Sequence, residues 1–161
     1  MSLEKMIYSG KVFKLGHHVN TDVLHPSEFF SMNQDIVKKG FLHEMSLNFN
    51  NESIILIGGK NMGCGSSRET TAYSLKSNNI EIIIAISFSR IFYRNLVNNG
   101  IVPIELPEIY SDIKTNDDII IDLSQNIILT KNKCWTIPMF DSYIDSILRS
   151  GGMVQYLHNK K

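Results

Sequence analysis

The chain has 161 residues, of which 43% are hydrophobic and 20% charged, enough to bury one sizeable core in a single domain. The 16 Lys and Arg residues balance 16 Asp and Glu residues, so no global field draws it to nucleic acid or an anionic membrane, and an anionic ligand has to be held locally. No apolar run approaches the roughly 20 residues of a spanning helix, the start MSLEKMIYSG lacks the apolar stretch of a signal peptide, and a cytoplasmic protein is expected.

Apolar periodicity orders the elements. A short strand is expected around Val12 to Leu15, then a polar loop through His17 to Asp22 and an irregular segment containing Pro26. Asp35 to Met45 carries Ile36, Val37, Phe41 and Met45 at helical spacing, interrupted by Gly40, and the Asn-rich Asn48 to Asn51 reads as a connector. Ser53 to Ile57 is a β-branched run that suits a strand buried on both faces. A glycine-bearing loop leads into a helix over Ser67 to Ser77, followed by a second buried strand at Glu81 to Ile86. In the next helix Phe88, Ile91, Phe92 and Leu96 fall on one face, and Asn99-Gly100 ends it. Ile101 to Ile104 is a third strand, Ile119 to Leu123 and Asn126 to Thr130 a hairpin turning near Ser124-Gln125, and Cys134 to Ile137 a further strand. Helices over Asp141 to Ser150 and Met153 to His158 close the chain. Strand and helix alternate through the middle, which implies an α/β fold whose mixed, mainly parallel sheet has antiparallel additions at the C-terminal side.

Cys64 and Cys134 are too few for a disulfide framework, match no zinc spacing, and cannot alone supply the usual cysteine set of an iron–sulfur cluster. His17, His18, His25, His43 and His158 show no paired metal-ligand spacing and read as surface or loop residues.

The most informative stretch is Gly58 to Glu69, GGKNMGCGSSRE, between a buried strand and the next helix, where open α/β sheets bind ligands. Cys64 stands where a P-loop needs lysine, Arg68 where a dinucleotide fingerprint needs its third glycine, and the serines are misplaced for a nucleophile elbow. Two readings remain. Ser66 caps the helix with Glu69 completing an S-x-x-E capping box, or the serine pair and Arg68 serve an acidic ligand. The local pattern by itself suits the cap, and a cation in the first helical turn, which opposes the macrodipole, weakens that reading and suggests service to something acidic outside the helix.

Three segments, Gly63-Cys64-Gly65-Ser66-Ser67-Arg68-Glu69, Ala85 to Asn95 (AISFSRIFYRN) and Asn99 to Ile104 (NGIVPI), closely resemble the small subunits of 3-isopropylmalate dehydratases. Asn20-Thr21-Asp22 followed by Pro26 is similar to the N-T-D-x-x-x-P segment of the same family, within the aconitase swivel-domain superfamily. The resemblance runs from about Gly10 to Leu157. It implies the aconitase-type swivelling fold, a large-subunit partner carrying a [4Fe–4S] cluster, no cofactor on this chain, and hydro-lyase activity on a substituted malate. By the same resemblance Ser66 is the base that removes a proton from substrate carbon, and Arg68 holds a substrate carboxylate and stabilises the serine alkoxide. Gly63 and Gly65 let the backbone approach a ligand closely, Gly65 is a candidate substrate contact, and Ser67 either binds substrate or caps the helix. Cys64 is a packed small residue rather than a nucleophile.

Thr21 and Asp22 are candidates for positioning the substrate loop, although Asp22 also suits a backbone cap. Arg90, just past a strand end, is a candidate anion contact, whereas Arg94 reads as structural. His25 departs from the apolar residue usual in the family's N-T-D segment. The family attributes substrate choice to the loop after that segment, here Ser27 to Met32, with Phe29, Phe30, Ser31 and Met32 as candidate contacts. An apolar loop suits a branched alkyl group better than a third carboxylate, so interconversion of 2-isopropylmalate and 3-isopropylmalate through isopropylmaleate, in leucine biosynthesis, is the expected reaction. A homoaconitase-like or methyl-substituted-malate dehydratase is the rival within the enzyme class. A stand-alone carboxylate-binding module is the rival outside it, and self-association of the isolated chain is left open.

Overall fold

The computed structural model describes residues 7–43, 53–65 and 68–160. Its seven strands are β1 (Ile7–Lys14), β2 (Ile54–Gly58), β3 (Ile82–Ala85), β4 (Val102–Glu105), β5 (Asp118–Asp122), β6 (Ile127–Leu129) and β7 (Cys134–Thr136). They form one sheet in the order β4-β3-β2-β1-β5-β6-β7. β1 to β4 pair in parallel, with Val12 beside Ile55, Leu56 beside Ile83 and Ile84 beside Ile104. β5 lies antiparallel to β1, with Tyr8 beside Ile121, and β6 and β7 continue antiparallel. The expected α/β class with a mixed sheet is the one observed.

Alternation along the central strands separates two cores. Ile55, Ile57, Ile82 and Ile84 face one side with Val12, Val102 and Ile104, while Leu56, Ile83 and Ala85 face the other. Continuous β-branched runs are what such two-sided burial requires. The first side is covered by α5 (Pro107–Asp112) and α6 (Ser142–Arg149) through Ile109, Ile147 and Leu148. The second is covered by α1 (Thr21–Leu24) and α3 (Glu69–Ser77) through Leu24, Ala72 and Leu75. α4 (Arg90–Asn98) contributes to both, with Phe92 and Leu96 on the second side and Val97 on the first. α2 (Gln34–Lys39) packs on α3, where the Ser74 hydroxyl donates to the Val37 carbonyl at 2.9 Å, and α7 (Met153–His158) follows α6. Pro103 is tolerated because β4 is an edge strand, where a missing N–H breaks no second ladder.

Several elements differ from the sequence expectation. The first strand begins at Ile7, and the polar loop is interrupted by α1, whose N-cap Asn20 accepts from the Asp22 N–H at 2.9 Å. Ser27–Phe29 forms one 3-10 turn. α2 stops at Lys39 with Gly40 as its C-cap, and Gly40 lies against His25, where an added Cβ would meet the ring's Cδ2 at 2.4 Å. Met45 and Asn48 to Asn51 lie outside the described residues. Ile91 is exposed on α4 and Phe88 precedes the helix, so only Phe92 and Leu96 of the proposed apolar face are buried. α5 was not expected, although Pro107 in its first turn is a helix-start signal.

Candidate functional site

Loops after β1, β2 and β3 leave the same end of the parallel strands and are tied together by main-chain bonds. Gly63 and Cys64 donate from their N–H groups to the Val19 carbonyl at 2.8 and 3.2 Å, and Thr21 donates back to the Cys64 carbonyl at 3.0 Å. On the other flank, the Met62 N–H donates to the Ser87 carbonyl and the Ser89 N–H to the Met62 carbonyl, each at 2.9 Å. The Ser89 hydroxyl closes that flank by donating to the Gly63 carbonyl at 2.6 Å. The loop that begins at Gly59 is therefore gripped from both sides before it reaches Arg68.

Two glycines make this close fit sterically feasible. Gly63 has φ +75 and a Cβ there would meet the Phe92 ring at 2.1 Å, while Gly65 has φ +91 and a Cβ would meet Asn20 Oδ1 at 2.6 Å. Both positions combine a left-handed backbone with no room for a side chain. Asn20 thus caps α1 with its side-chain oxygen and fills the space over Gly65 at the same time. The sequence marks Asn20 and Ser89 only as members of the N-T-D and AISFSRIFYRN segments, with no role of their own, although an Asn directly before Thr21-Asp22 is a helix N-cap signal.

Ser66 and Ser67 lie outside the described residues. Arg68, which is described, has extended backbone (φ −92, ψ 149) and is the N-cap of α3 without a side-chain cap bond. This overturns the capping-box expectation: with Glu69 as the first helical residue, an S-x-x-E box starting at Ser66 is out of register. It also moves Arg68 from inside the first turn to just ahead of it. Its side chain is exposed, has no carboxylate partner among the described residues, and sits over the Phe30 ring with its guanidinium carbon 5.0 Å from the ring centroid.

The loop after Asn20-Thr21-Asp22 is split in its packing. Phe29 contacts His43 with ring centroids 4.5 Å apart, and Phe30 contacts His25 at 5.2 Å. The Ser31 hydroxyl accepts from the Asn33 N–H at 3.0 Å, and the Met32 side chain is fully exposed. Thr21 is buried and Asp22 exposed in the first turn of α1. Arg90, with Arg94, Phe88, Tyr93, Glu105 and Phe140, lines a cleft of about 480 Å³ that, among the described residues, shares no lining residue with Gly63–Arg68 or Ser27–Met32. Burial, with the Glu105 charge beside it, raises the Tyr93 phenol above its ordinary pKa.

His25 is not the surface or loop residue expected. It is 0% exposed, and neither ring nitrogen has a hydrogen-bond partner of good geometry among the described residues. Burial lowers its pKa, opposed in part by the nearby Val37 carbonyl, which favours the neutral ring over the charged one. His17 is fixed differently, its Nδ1 accepting from the Lys60 N–H at 2.9 Å. Cys64 is half-buried and its Sγ–H donates to the His18 carbonyl at 3.2 Å. Among the described residues no three His, Cys, Asp or Glu side chains converge as a metal site, and no helix is long and apolar enough to cross a membrane. A [4Fe–4S] cluster does not fit on the two cysteines, since Cys64 is turned into the loop backbone and Cys134 lies on β7.

Residues 19–109 match the aconitase C-terminal domain family. The chain is 36% identical to the 3-isopropylmalate dehydratase small subunit of Ruminiclostridium cellulolyticum, over 93% of this chain and 96% of the relative. It is 32% identical to the 2,3-dimethylmalate dehydratase small subunit of Eubacterium barkeri, over 92% and 95%. The crystal structure of 3-isopropylmalate dehydratase (LeuD) from Methanocaldococcus jannaschii superposes with a TM-score of 0.87 at 33% identity, covering 96% of this chain and 95% of that one.

Proposed function

The chain belongs to the aconitase C-terminal domain family, among the 3-isopropylmalate dehydratase small subunits, and from that premise we propose that it completes the active site of a heteromeric hydro-lyase. The reaction is the interconversion of 2-isopropylmalate and 3-isopropylmalate through isopropylmaleate, a step of leucine biosynthesis. In the forward dehydration the substrate loses a hydroxyl from one carbon and a proton from its neighbour. Rehydration returns both with their positions exchanged, so the atoms balance. A [4Fe–4S] cluster on the large subunit would supply the Lewis acid for the leaving hydroxyl.

The contribution of this chain follows from its own residues. Ser66 is assigned as the group that takes the carbon-bound proton. A serine hydroxyl ionises far above neutral pH, so it needs fixed positive potential beside it, and Arg68, the N-cap of α3, is the source. Arg68 also receives a substrate carboxylate, for which its planar fork is suited. Phe29 to Met32 border the alkyl group; the full exposure of the Met32 side chain leaves it available to a branched substituent. Ser67, Gly65, Thr21 and Asp22 shape the approach to the loop.

The observation that carries this reading is a loop clamped at Gly63 and Cys64 by Val19, Thr21 and Ser89, with an extended arginine, Arg68, directly ahead of a helix and without a carboxylate partner among the described residues. The test is anaerobic co-purification with a candidate large subunit from the same source, followed by kinetics on a panel of substituted malates and homoaconitate. The expected result is a stable complex that prefers isopropylmalate. Preference for the tricarboxylate would overturn the argument from the apolar loop, and tight diacid binding by the isolated chain without a complex would overturn the heteromer.

A further inference from the structure

Arg68 is exposed and without an acidic partner among the described residues, so on electrostatic grounds alone its long side chain would sample many rotamers. What the structure provides instead is an aromatic support. The guanidinium carbon sits 5.0 Å from the Phe30 ring centroid, within the distance at which a cation is attracted to a ring face. Phe30 is itself held. Its N–H donates to the Ser27 carbonyl at 3.1 Å, ending the 3-10 turn, and its ring contacts His25, which is wholly buried beside Gly40. Contacts therefore run without a break from the buried ring of His25 to an exposed cation across the segment to which substrate choice was assigned.

We propose that Phe30 is a positioning residue, holding the Arg68 guanidinium in the orientation that receives a substrate carboxylate. The inference rests on the reading of Arg68 as the carboxylate holder. Its physical basis is preorganisation: a cation already resting on a ring loses less rotamer freedom when the anion arrives. Phe30 then does two things at once, since the same ring borders the substrate's alkyl side and sets its carboxylate clamp. A substitution in this segment would change affinity for every substituted malate alike, in addition to any effect on selectivity among them.

The test is a double-mutant cycle read by binding rather than turnover. The complex with the large subunit is assembled with Ser66→Ala as a common background, and titrated calorimetrically with 2-isopropylmalate and with malate, which lacks the alkyl group. Phe30→Leu keeps the apolar volume but removes the ring, and is expected to weaken binding of both ligands by about two- to fivefold. Phe30→Tyr keeps the ring and is expected to restore it. In an Arg68→Ala background, Phe30→Leu should cause no further loss for malate, which has no alkyl group for the ring to border, and the cycle is read on that ligand. Equal losses with and without Arg68 would overturn the positioning role and leave Phe30 as a direct contact or packing residue. If Arg68→Ala alone leaves binding unchanged, the carboxylate-holder reading fails and the proposal with it, an outcome distinguishable from the first because the Arg68 edge of the cycle is then flat. Circular dichroism and gel filtration of each complex separate these outcomes from misfolding.

Discussion

Replacing His25 with leucine tests whether this residue is a cost to the fold. The imidazole is 0% exposed with both nitrogens lacking well-aligned partners among the described residues, and it is surrounded by Phe30, Phe29 and the Gly40 backbone. An orphaned buried polar group costs about 1 to 3 kcal/mol, whereas an apolar side chain of similar size in the same space avoids that penalty. Leucine is close in volume, so His25→Leu should stabilise the chain by about 1 to 3 kcal/mol, or a rise in Tm of about 2 to 12 °C for a chain of this length. The pH dependence supplies an independent reading. Burial lowers the folded-state pKa of His25 below its unfolded value near 6.5, so between the two values the unfolded chain binds a proton that the folded chain does not. Stability attributable to this residue is therefore complete above about pH 6.5 and declines as pH falls below it, until the folded-state value is passed. Thermal melts of wild type and His25→Leu at pH 8.0 and pH 5.0 should show a larger gap at pH 5.0. A variant that melts lower than wild type at pH 8.0, or that keeps the full acid sensitivity of wild type, would refute the argument.

Ser66→Ala in the reconstituted complex should reduce kcat by at least about a hundredfold, the lower range for loss of an acid–base group, while gel filtration shows assembly intact. Arg68→Lys should raise KM and lower kcat/KM by about tenfold or more, because a point charge cannot reproduce a two-pronged carboxylate contact; steady-state kinetics at wild-type values would remove the direct contact. Gly65→Ala introduces a side chain at φ +91 and drives a Cβ to 2.6 Å from Asn20 Oδ1, so a loss of at least about 1 to 2 kcal/mol is expected in denaturant melts, with activity falling further as the loop shifts. Asn20→Ala removes the cap of α1 at about 1 kcal/mol and should lower activity more than that loss of stability explains, as measured by comparing melts with turnover.

The central sheet was legible because its strands, Ile54–Gly58 and Ile82–Ala85, carry nothing but residues that want burial on both faces, and Asn99-Gly100 could end a helix in only one way. The glycines at 63 and 65 were legible as a loop that approaches something closely, but not that the thing approached is Phe92 in one case and Asn20 in the other. That information is tertiary: it depends on β1 and β2 lying side by side so that Val19 and Cys64 meet. The helix start was misread for a related reason. S-x-x-E is a local pattern, and an extended Arg68 between the serines and Glu69 breaks it in a way that no one-dimensional spacing records. His25 shows the limit most plainly. Its place in a polar, proline-containing stretch reads as exposed, and only the fold of α1 and the 3-10 turn over Gly40 encloses it.

A charge count at the site indicates why this chain works with a partner. A substituted malate carries two carboxylates and a hydroxyl that must leave, and near neutral pH each needs a positive or Lewis-acidic counterpart in a site from which water is excluded. At the Gly63–Arg68 loop the described residues provide one unpaired guanidinium, while Arg90 and Arg94 line a cleft to which the described residues of that loop do not contribute. Asp22, exposed at α1 beside the loop that grips Cys64, adds charge of the wrong sign for a dianion. With an overall charge of +0 there is no diffuse field to make up the difference. The second carboxylate and the hydroxyl must therefore be met from outside this surface, by groups that close over Arg68 and Phe30. On this account affinity for the diacid should appear only in the assembled complex, and calorimetric titration of 2-isopropylmalate into the isolated chain should give no heat of binding up to millimolar ligand. Micromolar binding by the isolated chain would mean that the chain already holds both carboxylates, and the division of labour argued here would be wrong.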